Sequence, residues 1–255
     1  MEANLASPKS VLVVRPLRQQ DKFLQLLEQA QIDYQYRPIM RIQPIVQGEP
    51  QAEQIKNLIL RFAEFDQAIF ISANAAELAI AWLDQYWPML PADMEYFAVG
   101  QQTAEILGQY GCQALTPQQQ NTEGLLQEMP QLKNLHNKSV IIFRGGAGRT
   151  TLGETLENRG ASVSYCELYQ RIIDPERLLE AKALLPEISC IVAHSGELLQ
   201  ALGNANSSTA TLVVPSPRVA EMARNLNYKN IHVAENALPE SMFKAVQIAL
   251  AQSVF

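Results

Sequence analysis

The sequence predicts an α/β fold of doubly wound parallel sheets, and three observations carry that expectation. Short β-branched runs alternate with longer segments of helical period along the whole chain. The runs are apolar at consecutive positions, which marks strands covered on both faces. Most of them end in a hydroxyl residue, a glycine or an arginine just before a helical segment begins.

Taken in order, residues 10–15 form the first buried strand, with the run Val11-Leu-Val-Val14 closed by Pro16. Residues 21–31 follow with Phe23, Leu26, Leu27 and Ala30 at helical spacing, which gives one apolar face. Residues 32–44 are extended and proline-punctuated, with no helical period. Further strands are expected at 67–72, 96–99, 113–115, 140–144, 162–166, 190–194, 211–214 and 231–234. Helices are expected at 75–85, 101–110, 122–129, 150–159, 176–185, 198–202, 217–226 and 239–252. Strict alternation of this kind implies right-handed crossovers.

About nine strands are many for one sheet, and two segments suggest where the chain divides. Residues 32–44 and 163–173 share an extended character in which aromatic and polar residues alternate. Paired as a linker, they would leave a first domain of residues 1–37 and 172–255 and an inserted second domain of residues 38–171. One large sheet is the alternative.

Composition narrows the function. The 255 residues are 47% apolar and 18% charged, enough for a sizeable core and too apolar for intrinsic disorder. Twenty Lys and Arg against 26 Asp and Glu give a net charge of −6, so no basic field suits a nucleic acid partner. No apolar run approaches the roughly 18 residues of a membrane span. The best run near the start, Val11–Val14, also falls short of a signal peptide. A cytoplasmic protein with no membrane partner is expected. Cys112, Cys166 and Cys190 are odd in number and form no CxxC pair, which argues against disulfides or structural zinc and for core positions.

In open α/β sheets, ligands bind beyond the carboxyl ends of the strands. Here those ends carry Arg15, Ser72 with Asn74, Gly100 with Thr103, the stretch Arg144-Gly-Gly-Ala-Gly-Arg149, His194-Ser195, and Ser216 with Arg218. Helix N-termini follow, and their N–H groups and dipoles favour anions. Ser72, Asn74, Ser195 and Ser216 also suit plain helix capping. The glycine-rich stretch is neither a dinucleotide fingerprint nor a Walker A loop, because a third spaced glycine and a Gly-Lys-Ser/Thr run are missing. A carboxylate therefore fits better than a nucleotide.

No hydrolytic constellation is present. His136, His194 and His232 are scattered, and His194 and Ser195 point to opposite faces of an extended segment. HExxH, GxSxG and paired carboxylate motifs are absent. Tyr169 lies between Glu167 and Arg171 at the expected domain junction, where interdomain packing is the plain reading.

The order and spacing of several motifs resemble the uroporphyrinogen-III synthase family. They are Val13-Val-Arg-Pro16, Ser72-Ala-Asn-Ala-Ala76, Phe97-Ala-Val-Gly-Gln-Gln-Thr-Ala104, Asn121-Thr-Glu-Gly-Leu125 and Phe143-Arg-Gly-Gly-Ala-Gly-Arg149. Tyr165-Cys-Glu-Leu-Tyr-Gln-Arg171, His194-Ser-Gly-Glu197 and Val214-Pro-Ser-Pro-Arg-Val-Ala220 complete the set. The resemblance covers nearly the whole chain. It implies two α/β domains, the second inserted into the first through a two-stranded linker, with the active site in the cleft between them.

It also implies a reaction. The substrate would be hydroxymethylbilane, a linear tetrapyrrole with eight carboxylates, which loses water and closes with inversion of ring D. Neither a metal nor an organic cofactor is implied. Catalysis would fold the chain and stabilise an azafulvenium-like cation. By resemblance, Tyr169 matches a linker tyrosine that assists departure of the hydroxyl. Thr103, Ser72, Ser195 and Ser216 match cleft positions. Asn74, Gly100, Thr122, Gly145 and Gly146 fall in the matched motifs, and Arg15, Arg144, Arg149 and Arg218 are candidate carboxylate partners. Ile71 and His194 depart from the family, where threonine is common. A monomer is expected, in transient contact with the enzyme that precedes it in the pathway. The competing readings are a nucleotide-dependent transferase, which would need a phosphate loop, and a two-lobed small-molecule binding protein without catalysis.

Overall fold

Residues 10–16, 21–146, 148, 150–205 and 208–252 are described by the computed structural model. Arg149 lies outside the described residues. Along the chain run β1 (Val11–Val14), α1 (Lys22–Gln29), β2 (Tyr34–Tyr36), β3 (Met40–Pro44), α2 (Pro50–Leu60), β4 (Gln67–Phe70), α3 (Ala73–Leu83), β5 (Glu95–Ala98) and α4 (Gln101–Gln109). They are followed by α5 (Thr122–Glu128), β6 (Ser139–Gly145), α6 (Thr151–Asn158), β7 (Ser162–Ile173), α7 (Pro175–Leu184), β8 (Cys190–Ala193), α8 (Gly196–Leu202), β9 (Thr211–Val214), α9 (Pro217–Asn225), β10 (Ile231–Val233) and α10 (Pro239–Gln252).

The chain divides into two units, residues 1–41 with 172–255 and residues 42–171. The crossings fall within β3 and β7, which are neighbours in the second sheet.

In the first unit the sheet order is β10-β9-β8-β1-β2, with every pair parallel. Val11 to Val14 are all buried because alternate residues serve opposite faces. Leu12 and Val14 join Ile191, Ala193, Leu212 and Val214 in a core with Leu198, Leu199 and Val219 from α8 and α9. Val11 and Val13 join Cys190 and Val192 on the other face, under Phe23 and Leu27 of α1 and Met242 and Val246 of α10.

The second unit repeats the scheme, with the order β3-β7-β6-β4-β5. β4 lies parallel to β5 and β6, and β6 parallel to β7. Phe70 and Phe143 stack at 4.7 Å in the core formed with α2 and α3, while Ile69, Val140 and Ile142 pack on Leu125 of α5 and Leu152 of α6.

Each sheet reverses its winding once. In the first unit the reversal lies between β1 and β8, and in the second between β4 and β6. At such a switch point the loops on adjacent strands run to opposite faces and leave a crevice at the carboxyl edge.

Two expectations are corrected. Residues 113–115 do not form a strand. They make a single parallel bridge from Leu115 to Phe97, with Leu115 N donating to Tyr96 O at 2.8 Å. The segment runs between Gly111, at φ 76°, and Pro117, and Leu115 is its one paired residue among those described. Conversely, α2 is not among the expected helices. It buries only Ala52, Ile55 and Ile59 while Leu60 is exposed, so apolar residues off the buried face blur the helical period.

Candidate functional site

The switch point of the second unit gathers Ser72, Arg144, Gly145, Gly146 and Tyr169 from the expected site residues. Ser72 follows β4 and caps α3, its Oγ accepting from Ala75 N at 3.2 Å. β6 ends at Arg144 and Gly145, and a register irregularity between them sets Gly145 opposite Tyr169 of β7. Gly146 N then donates to Tyr169 O at 2.8 Å.

Tyr169 is 1% exposed and belongs to the core shared by α2, α3 and the sheet. Its ring occupies the space that a side chain on Gly145 would need. A Cβ there would overlap Tyr169 Cε2 and lie 2.6 Å from Cζ. The hydroxyl lies 3.2 Å from Ser72 Oγ, and Arg171 Nη2 donates to it at 3.3 Å. The Arg171 guanidinium also sits 5.4 Å from the Tyr169 ring centroid. A buried ring thus fixes a phenol oxygen at the strand ends beside a serine and a cation.

Arg144 is 3% exposed, so it is no surface residue. Its Nε donates to Gly145 O at 3.1 Å and lies 3.6 Å from Glu167 Oε1. The guanidinium covers the Tyr165 ring at 4.9 Å. A Cβ on Gly148 would overlap Arg144 Nη2, so Gly148 lies directly against this side chain. Burial pushes the Tyr165 phenol upward, and the Arg144 cation acts in the opposite sense.

The remaining residues of this unit lie at helix starts. Asn74 is half-buried in the first turn of α3. Gly100 caps α4, where Gln101 N donates to Gln120 Oε1 at 3.1 Å, and Thr103 is buried in the first turn. Thr122 opens α5 behind the cap Asn121, whose Oδ1 accepts from Gly124 N at 2.7 Å.

In the first unit, Arg15 ends β1 and is 6% exposed. Its Nη1 and Nε meet the two carboxylate oxygens of Asp21, each at 3.1 Å. Arg15 Nη1 also lies 3.2 Å from His194 Nε2. A guanidinium only donates, so Nε2 accepts, and hydrogen-bond geometry assigns the ring proton to Nδ1. Asp21 additionally caps α1 through Phe23 N at 3.0 Å, and the Phe23 edge meets the His194 ring at 4.8 Å. Sequence reading missed Asp21. Its signal was an acidic residue standing just before an apolar helical period.

Ser195 caps α8 through Leu198 N at 3.3 Å, and Ser216 caps α9 through Val219 N at 3.4 Å. Arg218, in the first turn of α9, is exposed and donates to the Met222 sulfur at 3.6 Å. Among the described residues it forms no ion pair, unlike Arg15 and Arg144.

Among the described residues, no three of His, Cys, Asp and Glu group as metal ligands, and no helix is long and apolar enough to cross a membrane.

The sequence matches a protein-family model described as "Uroporphyrinogen-III synthase HemD" over residues 5–244. It is 32% identical over 255 residues to the uroporphyrinogen-III synthase of Escherichia coli K12, covering 93% of this chain and 100% of that one. With the uroporphyrinogen-III synthase of Salmonella typhimurium LT2 it shares 34% identity over 198 residues, which cover 72% of this chain and 79% of that protein. Among solved structures, a mutant uroporphyrinogen III synthase of Thermus thermophilus has the same fold. Its TM-score is 0.65 at 16% identity, covering 95% of this chain and 99% of that one. The uroporphyrinogen-III synthetase of Helicobacter pylori 26695 gives 0.60 at 13% identity, covering 96% and 99%.

Proposed function

The chain belongs to the uroporphyrinogen-III synthase family, and from that premise we propose how its residues serve the reaction. Its activity is that of a uroporphyrinogen-III synthase, a cyclising lyase of tetrapyrrole biosynthesis. On this reading the substrate is hydroxymethylbilane. Its hydroxymethyl C–O bond breaks, the electron pair goes to oxygen, and the oxygen leaves as water once it takes a proton. The azafulvenium cation left behind is attacked by the substituted carbon of ring D. A spirocyclic pyrrolenine forms, and its rearrangement inverts that ring. The closing carbon loses a proton, which balances the one given to the leaving oxygen.

Tyr169 is the donor to the departing hydroxyl. The observation that carries this role is the phenol oxygen held 3.2 Å from Ser72 Oγ at the β4/β6 switch point, with its ring locked in the core. A donor fixed in place before reaction needs little reorganisation when the bond breaks. Carboxylates of the substrate are taken up by Arg218, Arg149 and the N–H groups at the capped helix starts behind Ser72, Gly100, Ser195 and Ser216. Arg15 and Arg144 already hold Asp21 and Glu167, and their role is to fix the loops that carry the donors. The same proposal includes a cytoplasmic monomer in transient contact with the enzyme that supplies its substrate.

The test supplies purified protein with freshly generated hydroxymethylbilane and separates the product isomers. Type III product formed faster than spontaneous closure is expected. In Tyr169→Phe, kcat should fall roughly ten- to a hundredfold, about 1.4–3 kcal/mol, with more type I isomer and an unchanged melting curve. Full kcat in that variant would return Tyr169 to packing alone. Type I product at the no-enzyme rate from the unaltered protein would refute the activity.

A further inference from the structure

Tyr169 and Arg171 stand two residues apart on β7, so their side chains leave the strand on the same face. That register is why Arg171 reaches back to the phenol, with Nη2 3.3 Å from the oxygen. A phenol oxygen has two lone pairs and a single proton. Arg171 has only donors, so it fills one lone pair whatever the protonation of its neighbours. The second partner is Ser72 Oγ, which already accepts the Ala75 N–H as the cap of α3.

Two proton arrangements fit the Ser72–Tyr169 contact. In one, the phenol donates to Ser72 and the serine proton becomes the outgoing donor. In the other, Ser72 donates to the phenol and the phenol proton is outgoing. The group that gives a proton to a leaving hydroxide acquires negative charge in the transition state. Phenols are more acidic than aliphatic hydroxyls, and the Arg171 cation touches the phenol oxygen and covers its ring. Ser72 is backed by one neutral N–H. The second arrangement therefore places developing charge where a cation is already in position.

We propose that Arg171 is a positioning residue for catalysis. Together with Ser72 it fills both lone pairs of the Tyr169 oxygen, and so dedicates the single phenol proton to the departing hydroxyl. This rests on the donor role of Tyr169 proposed above. Arg171 acts through Tyr169 and needs no contact with substrate.

The experiment is a double-variant cycle on the full-length protein, reading kcat, KM and isomer ratio with hydroxymethylbilane. Arg171→Gln in the unaltered background should lower kcat about tenfold, shift KM less than about twofold and raise the type I fraction. Arg171→Lys keeps the cation and should recover part of the loss. In the Tyr169→Phe background the phenol proton is gone, so Tyr169→Phe/Arg171→Gln should turn over within about twofold of Tyr169→Phe alone. Equal fractional losses from Arg171→Gln in both backgrounds would overturn the proposal, because Arg171 would then act independently of the phenol. Full kcat in Arg171→Gln would overturn it as well. Failure of the parent reading looks different, since Tyr169→Phe alone would then keep full kcat. If the glutamine variant melts early, the cycle is run with Arg171→Lys, and equal losses there refute the coupling in the same way.

Discussion

Gly145→Ala tests whether the position of the Tyr169 oxygen, and not just its presence, matters. The new Cβ would lie 2.6 Å from Cζ and 2.9 Å from Cδ2 of Tyr169. Carbon atoms settle at about 3.5 Å or more, so Cζ must retreat by about 0.9 Å. The ring belongs to a buried core that also holds Phe143 and Ala75, and the methyl is an overpacking insertion that costs about 1–3 kcal/mol. At about 2–4 °C per kcal/mol, the melting temperature should fall by several degrees. The hydroxyl oxygen rides on Cζ, and a shift of that size is enough to break the contacts at 3.2 Å to Ser72 and 3.3 Å to Arg171. Activity should then drop towards that of Tyr169→Phe, about tenfold or more, with extra type I isomer. Gly108→Ala, in α4, is the control. Its Cβ would meet nothing within 4 Å, and the variant should behave as the parent does. The assay is isomer-resolved turnover alongside a melting curve. Parental kcat and isomer ratio in Gly145→Ala would refute the reasoning, as would equal losses in the two variants.

The arginines should separate into two kinds. Arg15→Ala strands the Asp21 carboxylate, 5% exposed, and should cost about 3–5 kcal/mol of stability, whereas Arg218→Ala should melt normally and raise KM with kcat kept. A reversed pattern in calorimetry and kinetics would refute the assignment. Cys112, Cys166 and Cys190 are all buried, and burial pushes the Cys112 and Cys190 thiols up to about 12. A chromogenic disulfide reagent at a mildly alkaline pH should therefore find no fast thiol in the native protein and all three in denaturant, and a rapid native reaction would contradict the burial.

What could be read from the sequence followed from local rules. Val11–Val14 are consecutively apolar because both faces of the sheet are covered, and a run of that kind needs no knowledge of its partners. The hydroxyl caps Ser72, Ser195 and Ser216 were equally local, since each bonds three residues onward. Contacts across long separations were not legible. Arg15 meets His194 across 179 positions, and nothing in either neighbourhood encodes that. The irregularity that sets Gly145 against Tyr169 also escapes any period, because it breaks the register that periodicity assumes. Arg171 was visible as a neighbour of Tyr169, but its role depends on Ser72, 97 positions from the tyrosine.

The glycine-rich stretch shows how glycines can make room for side chains of the protein itself. In a phosphate loop, glycines let the backbone approach a ligand. Here two of the three make room for the protein's own side chains. Gly145 admits the Tyr169 ring, and Gly148 admits the Arg144 guanidinium, whose Cζ would lie 3.0 Å from an added Cβ. Both admitted side chains are buried, and their roles differ. Tyr169 presents a hydroxyl, whereas Arg144 holds the loop through Gly145 O, Glu167 and Tyr165. Gly145 and Gly148 are thus packed against the protein's own side chains before any substrate arrives. That suits a reaction whose difficulty is geometric, because the substrate closes unaided and the protein must only decide which carbon attacks. On the role proposed for Tyr169, a donor that drifted by an ångström would lose the departing hydroxyl, and spontaneous closure to the type I isomer would compete with the slowed reaction. Fixing Tyr169 therefore bears on the isomer ratio as much as on the rate, and the isomer ratio is the more sensitive readout of the two.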